Sequence, residues 1–520
     1  METQRRRRPL AQPVLEAIFA FLTLTLITGA IYFALWVWQF GVAGPWPWDL
    51  AALPATPDSL AGFAGGAVAV LGIAITVVAI IVELAANRYT PRVSELFVRD
   101  PVNVAVLSTF AVASVLSVGT MLALNAPEWP GLIVIANGLL VSFCLLAILP
   151  YFAYVFDFLA PTQVIRRITN GGLREIERAA RGGDAVAATR RDELLRAVDQ
   201  LGDIALNSVD KKDKPLAFAS LAAMAELVEA GLSERRRLPV RWFDTSVLGK
   251  TDADFLALHP DMVHALTTRK TWLEMKVFRQ YQDVFADALN KMRDVNHLTA
   301  IHTRKIAAAA LDRSELATLQ LSVRFLNTYM RAAVNGRDVR TAYNLLNEYR
   351  ELAEHAINTG HPDLAIELAG RMRYYGQLAF SNNLAFVLES AAYDQCRLLE
   401  VAFAVGSLAH DALLGIFLDL DREPEARAQE ASLKGVRKAQ IKLATFYLAR
   451  GAGPLAVRIS NDMRTEPGAR LNAIREEMLA VVHPEFWEVS DRGINFEWLD
   501  PERRAQLATF YRWLAGGVPA

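Results

Sequence analysis

Cysteine is almost missing from this 520-residue chain: Cys144 and Cys396 are the only two. They stand far apart, one in an apolar run and one in a predicted helix, so no disulfide framework and no zinc-finger spacing can be built from them. They read as two buried thiols. Net charge is also missing, at −1, so no global field recruits nucleic acid or acidic substrates. Histidine is absent from the first 258 residues. All eight lie beyond residue 250, and the pairs His259/His264 and His297/His302 are five apart, off the i, i+4 face of a helical zinc site. No H-E-x-x-H, phosphate-binding loop, dinucleotide fingerprint, G-x-S-x-G elbow or kinase set occurs. The expectation is a protein without catalytic residues, metal or cofactor, and not an enzyme.

Charge is scarce in a second sense. Residues 10–160 carry very little of it, whereas residues 163–520 are densely charged and rich in Ala, Leu, Glu and Arg. That division predicts a membrane half followed by a soluble helical half. Four apolar runs, near 14–40, 60–85, 103–124 and 132–159, each reach the ~20 residues that cross a bilayer. The first is too long for a signal-peptide core, and Trp36, Trp38, Trp46 and Trp48 mark its outer end. Lys and Arg fall on one side only: Arg5–Arg8, then Arg88, Arg92 and Arg99 between the second and third runs, then Arg166 and Arg167. The positive-inside bias puts both termini in the cytoplasm, in an inner-membrane, multi-pass protein.

The second run holds Gly62, Gly65, Gly66 and Gly72. Small residues let helix backbones approach in lipid, either within the bundle or between subunits. Glu83, near its end, is either paired with Arg88 or Arg92 or is an ion or proton site. In the third run Asn103, Ser114 and Ser117 share an arc; they line a wet path or bond backbone. The loop between the runs begins Thr90-Pro91, a helix cap and first-turn proline. Val93, Leu96 and Phe97 then share a face with Arg92, Glu95 and Arg99 around them, a short amphipathic surface helix.

This loop resembles the bacterial membrane-protein family known as domain of unknown function 2254. The resemblance rests on Ala85-Ala86-Asn87-Arg88-Tyr89-Thr90-Pro91-Arg92, on Phe97, on Arg99-Asp100, and on Leu107 with Thr109-Phe110. Thr90 stands where the family usually has Ser. A weaker similarity follows at Leu201-Gly202-Asp203-Ile204, but the family's Ser-Pro-Gly turn is replaced by Asn207 to Pro215. The resemblance implies a topology and no activity. The loop residues Arg88, Thr90, Pro91, Arg92, Glu95, Arg99 and Asp100 are expected to couple the spans to the cytoplasmic part.

The expected fold is all-α: four transmembrane helices followed by a large cytoplasmic helical domain, an irregular α-solenoid or bundle. The expected divisions are a basic N-terminus (1–13), the four-helix membrane domain (14–160), a membrane-proximal helical segment (161–238), an irregular linker (239–260), the helical domain (261–480) and an aromatic C-terminal segment (481–520). Long helices are expected near 261–293, 296–310 and 313–334. Asp213 with Pro215 should start an earlier one. Pro362, Pro424 and Pro454 are 62 and 30 residues apart, suggesting helix pairs with a period of ~31, near the 34 of tetratricopeptide arrays but without their signature. The aromatic segment 486–499 should dock on the preceding helices. Two functions are compatible with all this: a membrane-anchored scaffold that binds a cytoplasmic protein partner or itself, and an oligomeric channel. The expected partners are the lipid bilayer, further copies of the chain and a cytoplasmic protein, with no nucleic acid.

Overall fold

The computed structural model describes residues 57–88, 97–98, 100–123, 131–421, 433–486 and 488–516, with a few helical residues between 23 and 38. Most of the first apolar run, Trp36, Trp46, Trp48 and the N-terminal arginines lie outside the described residues, whereas Trp38 is described and exposed. Among the described residues every regular element is helical. The chain separates into two compact units between Ile168 and Thr169.

The first unit contains three long apolar helices, α1 (Pro57–Arg88), α2 (Pro101–Ala123) and α3 (Gly131–Phe158). Their inner faces meet through Leu71, Val78, Phe110, Ala113, Val141 and Val155, all buried. Their outer faces carry Ile73, Ile80, Val112, Val115, Leu139 and Phe156, all exposed. An outside as apolar as the inside suits lipid and not water.

The second unit begins with most of α4 (Pro161–Gly182), then α5 (Asp184–Asp210) and α6 (Lys214–Glu234). Asp213 caps α6 by accepting from the Leu216 amide, with Pro215 in the first turn. α6 is itself long and apolar enough to cross a membrane. It is instead the core of this unit, with Leu221, Met224, Leu227 and Val228 fully buried. The segment expected as a linker contains a 3-10 turn, Val240–Phe243, and two single-turn helices, and it buries Trp242, Phe243 and Phe255.

The helix expected at 261–293 is two helices, α7 (Pro260–Arg269) and α8 (Trp272–Ala288), divided where Lys270 turns left-handed (φ 57°). Five helices of 20 residues follow: α9 (Arg293–Asp312), α10 (Leu316–Asn335), α11 (Val339–Asn358), α12 (Pro362–Ser381) and α13 (Ala385–Ala404). Each starts 23 residues after the one before. The ~31-residue period is therefore corrected to 23 per helix and 46 per pair, and Pro362 and Pro454, 92 residues apart, stand four such steps apart and not three. The stack is regular because each helix ends in the same way. Ser314, Arg337, Gly360, Asn383 and Gly406 are left-handed, and the next amide returns to the carbonyl five residues back, at 2.8–2.9 Å. Helices two apart then lie side by side, tied by Arg304–Glu348 (2.6 Å), His355–Asp312 (2.7 Å) and Arg350–Asp394 (3.3 Å). The array continues less regularly through α14 (His410–Leu418), α15 (Lys434–Ala449), α16 (Gly453–Asp462) and α17 (Gly468–Ala480), and ends with α18 (Pro501–Leu514).

Candidate functional site

Of the loop residues singled out in the sequence, Thr90, Pro91, Arg92, Glu95 and Arg99 lie outside the described residues, and Arg88 is the last residue of α1. Asp100 is placed in detail. Its carboxylate accepts from the amides of Val102 (3.0 Å) and Asn103 (3.3 Å), capping α2 ahead of Pro101. The same oxygen accepts from the Tyr154 hydroxyl at 2.8 Å, across to α3. Asn103, fully buried, donates back to the Phe97 carbonyl at 3.0 Å. Phe97 packs edge-on against Phe158 (5.6 Å), and the Arg167 guanidinium lies 3.6 Å from the centroid of that second ring while donating to the Phe158 carbonyl. The end of the loop is thus locked to the end of the last span. Sequence reasoning missed Tyr154, Phe158 and Arg167. The available signal was Asp100-Pro101, the same cap-plus-proline pattern as Thr90-Pro91.

The serines of the polar arc of α2 bond backbone and a neighbouring helix. Ser114 and Ser117 donate to the carbonyls of Phe110 (2.9 Å) and Ala113 (2.8 Å), and Ser117 also meets the buried Asn137 of α3 at 3.1 Å. These hydroxyls are satisfied inside the bundle.

Gly62, Gly65, Gly66 and Gly72 have open space where a Cβ would project. With Ala69, Thr76 and Glu83 they fall within an arc of about 120° at 100° per residue, and all are exposed. Leu71, Ala74, Val78, Val82 and Ala85, buried residues of α1, lie on the opposite side. Among the described residues, α1 therefore has a packed face and, behind it, an exposed face that is lined by small residues from Gly62 to Gly72 and carries Ile73, Ile80, Leu84 and Glu83 further along.

The second unit has a different kind of site. Residues 490–503 run across α11, α13 and α15, the alternate helices that form one layer of the stack. Asp491 accepts from Arg340 (2.5 Å) and Asn344 (2.8 Å), and these partners hold its carboxyl down at about 2. Arg492 donates to Asp394 at 2.7 Å and to the Tyr343 carbonyl, with its guanidinium 3.9 Å from the Tyr343 ring centroid. Phe496 stacks on Tyr393 (5.0 Å), Glu497 takes Lys438 (2.6 Å), and Arg503 grips Glu400 with two nitrogens (2.6 and 3.0 Å). Docking of the aromatic segment, expected from the sequence, takes this form. Between segment and helices remains a cleft of about 450 Å³.

Elsewhere the buried Lys276 is met by Asp199 (2.6 Å), Asp252 (2.8 Å) and Asp254 (2.6 Å). This fastens the segment around residue 252 to α5 and α8. Burial raises the Asp199 carboxyl, against the pull of Lys276. Among the described residues no cluster of His, Cys, Asp and Glu has the make-up of a metal site.

Apolar-sided helices joined to a stacked helical body define the class: a membrane protein whose larger part is an α-helical array. Within the sequence, residues 8–210 match the family described as "Predicted membrane protein (DUF2254)". No curated protein matches. Among solved structures, a "Circular tandem repeat protein with novel repeat topology and enhanced subunit contact surfaces" is 15% identical, with 87% of this chain and 98% of that chain covered, at a TM-score of 0.24.

Proposed function

We propose that the protein is a self-associating, membrane-anchored helical scaffold, with both termini and residues 163–520 on the cytoplasmic side of the inner membrane. The observation that carries this reading is the small-residue face of α1. Packing and not the hydrophobic effect drives helix association in lipid, and this face is the one on which backbones can approach closely. Glu83, further along the same side of the helix, costs a few kcal/mol if left against lipid, and covering that side with another copy takes it out of lipid. The stacked array adds a broad surface of the kind that binds protein partners, part of it occupied by residues 490–503.

The test is the mass of the detergent-solubilised complex, with Gly66→Leu alongside. A wild-type oligomer that falls to a monomer in Gly66→Leu supports the reading, and a wild-type monomer sinks it. A second reading, an oligomeric channel, draws on Glu83 sharing that face, where a ring of α1 helices would turn it toward a lumen. Reconstituted vesicles decide between them: a conductance lost in Glu83→Gln favours the channel, and no conductance in the wild type leaves the scaffold.

A further inference from the structure

The cleft under residues 490–503 has a lopsided charge inventory. Arg350, Arg397, Lys442, Arg492 and Arg503 line it against Asp394, Glu400 and Asp500. Each of those carboxylates is already engaged by arginine. Asp394 accepts from Arg350 and Arg492, Glu400 from Arg397 and both terminal nitrogens of Arg503, and Asp500 caps α18 while bridging the Arg503 Nε at 2.8 Å. The cation left over is Lys442. Among the described residues its ammonium has one hydrogen-bond acceptor, the Phe496 carbonyl at 2.7 Å, and no carboxylate bridge. Burial lowers its pKa despite Glu400 and Asp500 nearby. Lys442 is partly buried, with its ammonium 5.9 Å from the Tyr393 ring centroid; a cation held partly out of water without a counter-charge is costly, and the neighbouring walls are aromatic: Tyr393, Phe496 and Trp498. Asn347 and Asn495 also line it; the Asn347 amide is engaged with Glu348, Glu351 and Arg350, and the Asn495 oxygen accepts from the Glu497 amide. The volume falls in the range of small-molecule sites, roughly 300–1,000 Å³.

We propose that this cleft binds a small organic anion, a phosphate ester carrying a planar ring, with Lys442 as the counter-charge to the anionic group and the aromatic wall against the ring. Such a ligand touches α13, α15 and the C-terminal segment together, so it also fastens that segment down.

The probes are adenosine monophosphate, adenosine and inorganic phosphate, added to the full chain in detergent micelles and followed by calorimetry and thermal unfolding. The expected result is saturable binding of adenosine monophosphate that raises the unfolding temperature, weaker binding of phosphate, and none of adenosine. Lys442→Gln should unfold at the wild-type temperature or above, because it removes an uncompensated charge, yet bind adenosine monophosphate at least about tenfold more weakly. No saturable binding in the wild type, equal affinity for adenosine, or unchanged affinity in Lys442→Gln overturns the proposal. If Lys442→Gln does not fold, Asn347→Asp, which adds a negative charge to the cleft, serves instead: affinity should fall, and unchanged affinity overturns the proposal.

Discussion

His302 shows how burial sets the behaviour of a residue. It sits on α9, and burial, with Lys305 adding to it, pushes its pKa down to about 4. In the unfolded chain it titrates near 6.5. Above pH 6.5 both states are neutral there and the residue contributes nothing to pH dependence. As pH falls from 6.5 toward 4, the unfolded state takes a proton that the folded state refuses, so stability is lost across that window and levels off below it. Thermal unfolding between pH 7.5 and 4.5 should show this loss, and His302→Gln should flatten its share. None of this was legible in the sequence, where His297 and His302 offered only a spacing that ruled out a helical metal pair. Asp100 is the opposite case. Its cap could be read from Asp100-Pro101 alone, whereas its bond to Tyr154 needed the fold, because 54 residues separate them.

At the scale of elements, most helices could be anticipated and their period could not. The 23-residue step is set by a left-handed residue after each helix, and that position is filled by Ser314, Arg337, Gly360, Asn383 and Gly406 in turn. Only two are glycines, so the usual punctuation is missing, and the break at Lys270 was hidden in the same way. A fainter signal was present. The carbonyls that accept the closing bonds belong to Ala310, Ala333, Ala356, Ala379 and Ala402, one alanine every 23 residues, each fully buried. A side chain larger than a methyl has no room where one helix's last turn meets the next. Ala356→Leu should therefore cost about 1–3 kcal/mol by overpacking, read from urea unfolding in detergent, while a leucine at the exposed Glu367 should change stability by under about 0.5 kcal/mol.

For the whole molecule, the sequence foretold a membrane part and a helical part because charge density changes abruptly between them. It did not foretell that the chain's own C-terminal segment lies across the stack, since Arg492–Asp394 and Arg340–Asp491 join residues about 100 and 150 apart. Arg492 is the centre of that attachment, with a side chain only 7% exposed. Arg492→Ala leaves Asp394 with one guanidinium instead of two, and truncating a buried charge pair costs on the order of 2–5 kcal/mol. Limited proteolysis should then cut within residues 486–500 many times faster than in the wild type. The fragments from α9 to α13 should stay resistant, and equal protection in both proteins would show that the aromatic contacts suffice.

α6 carries a further consequence, for how the chain is made. During synthesis it emerges after the apolar helices of the first unit, as 21 residues that satisfy the length and polarity of one more span. If it entered the bilayer, everything after it would change sides. Its correct fate is a race between insertion and burial, and only α4, whose Gly172 lies against Leu227, and α5 are available early, because α8 and α9 are synthesised later. Tyr281 of α8 closes over it, donating to the Leu221 carbonyl at 2.7 Å. The N-terminal part of the helical body is thus a sink that must fill promptly for the protein to have the right topology at all.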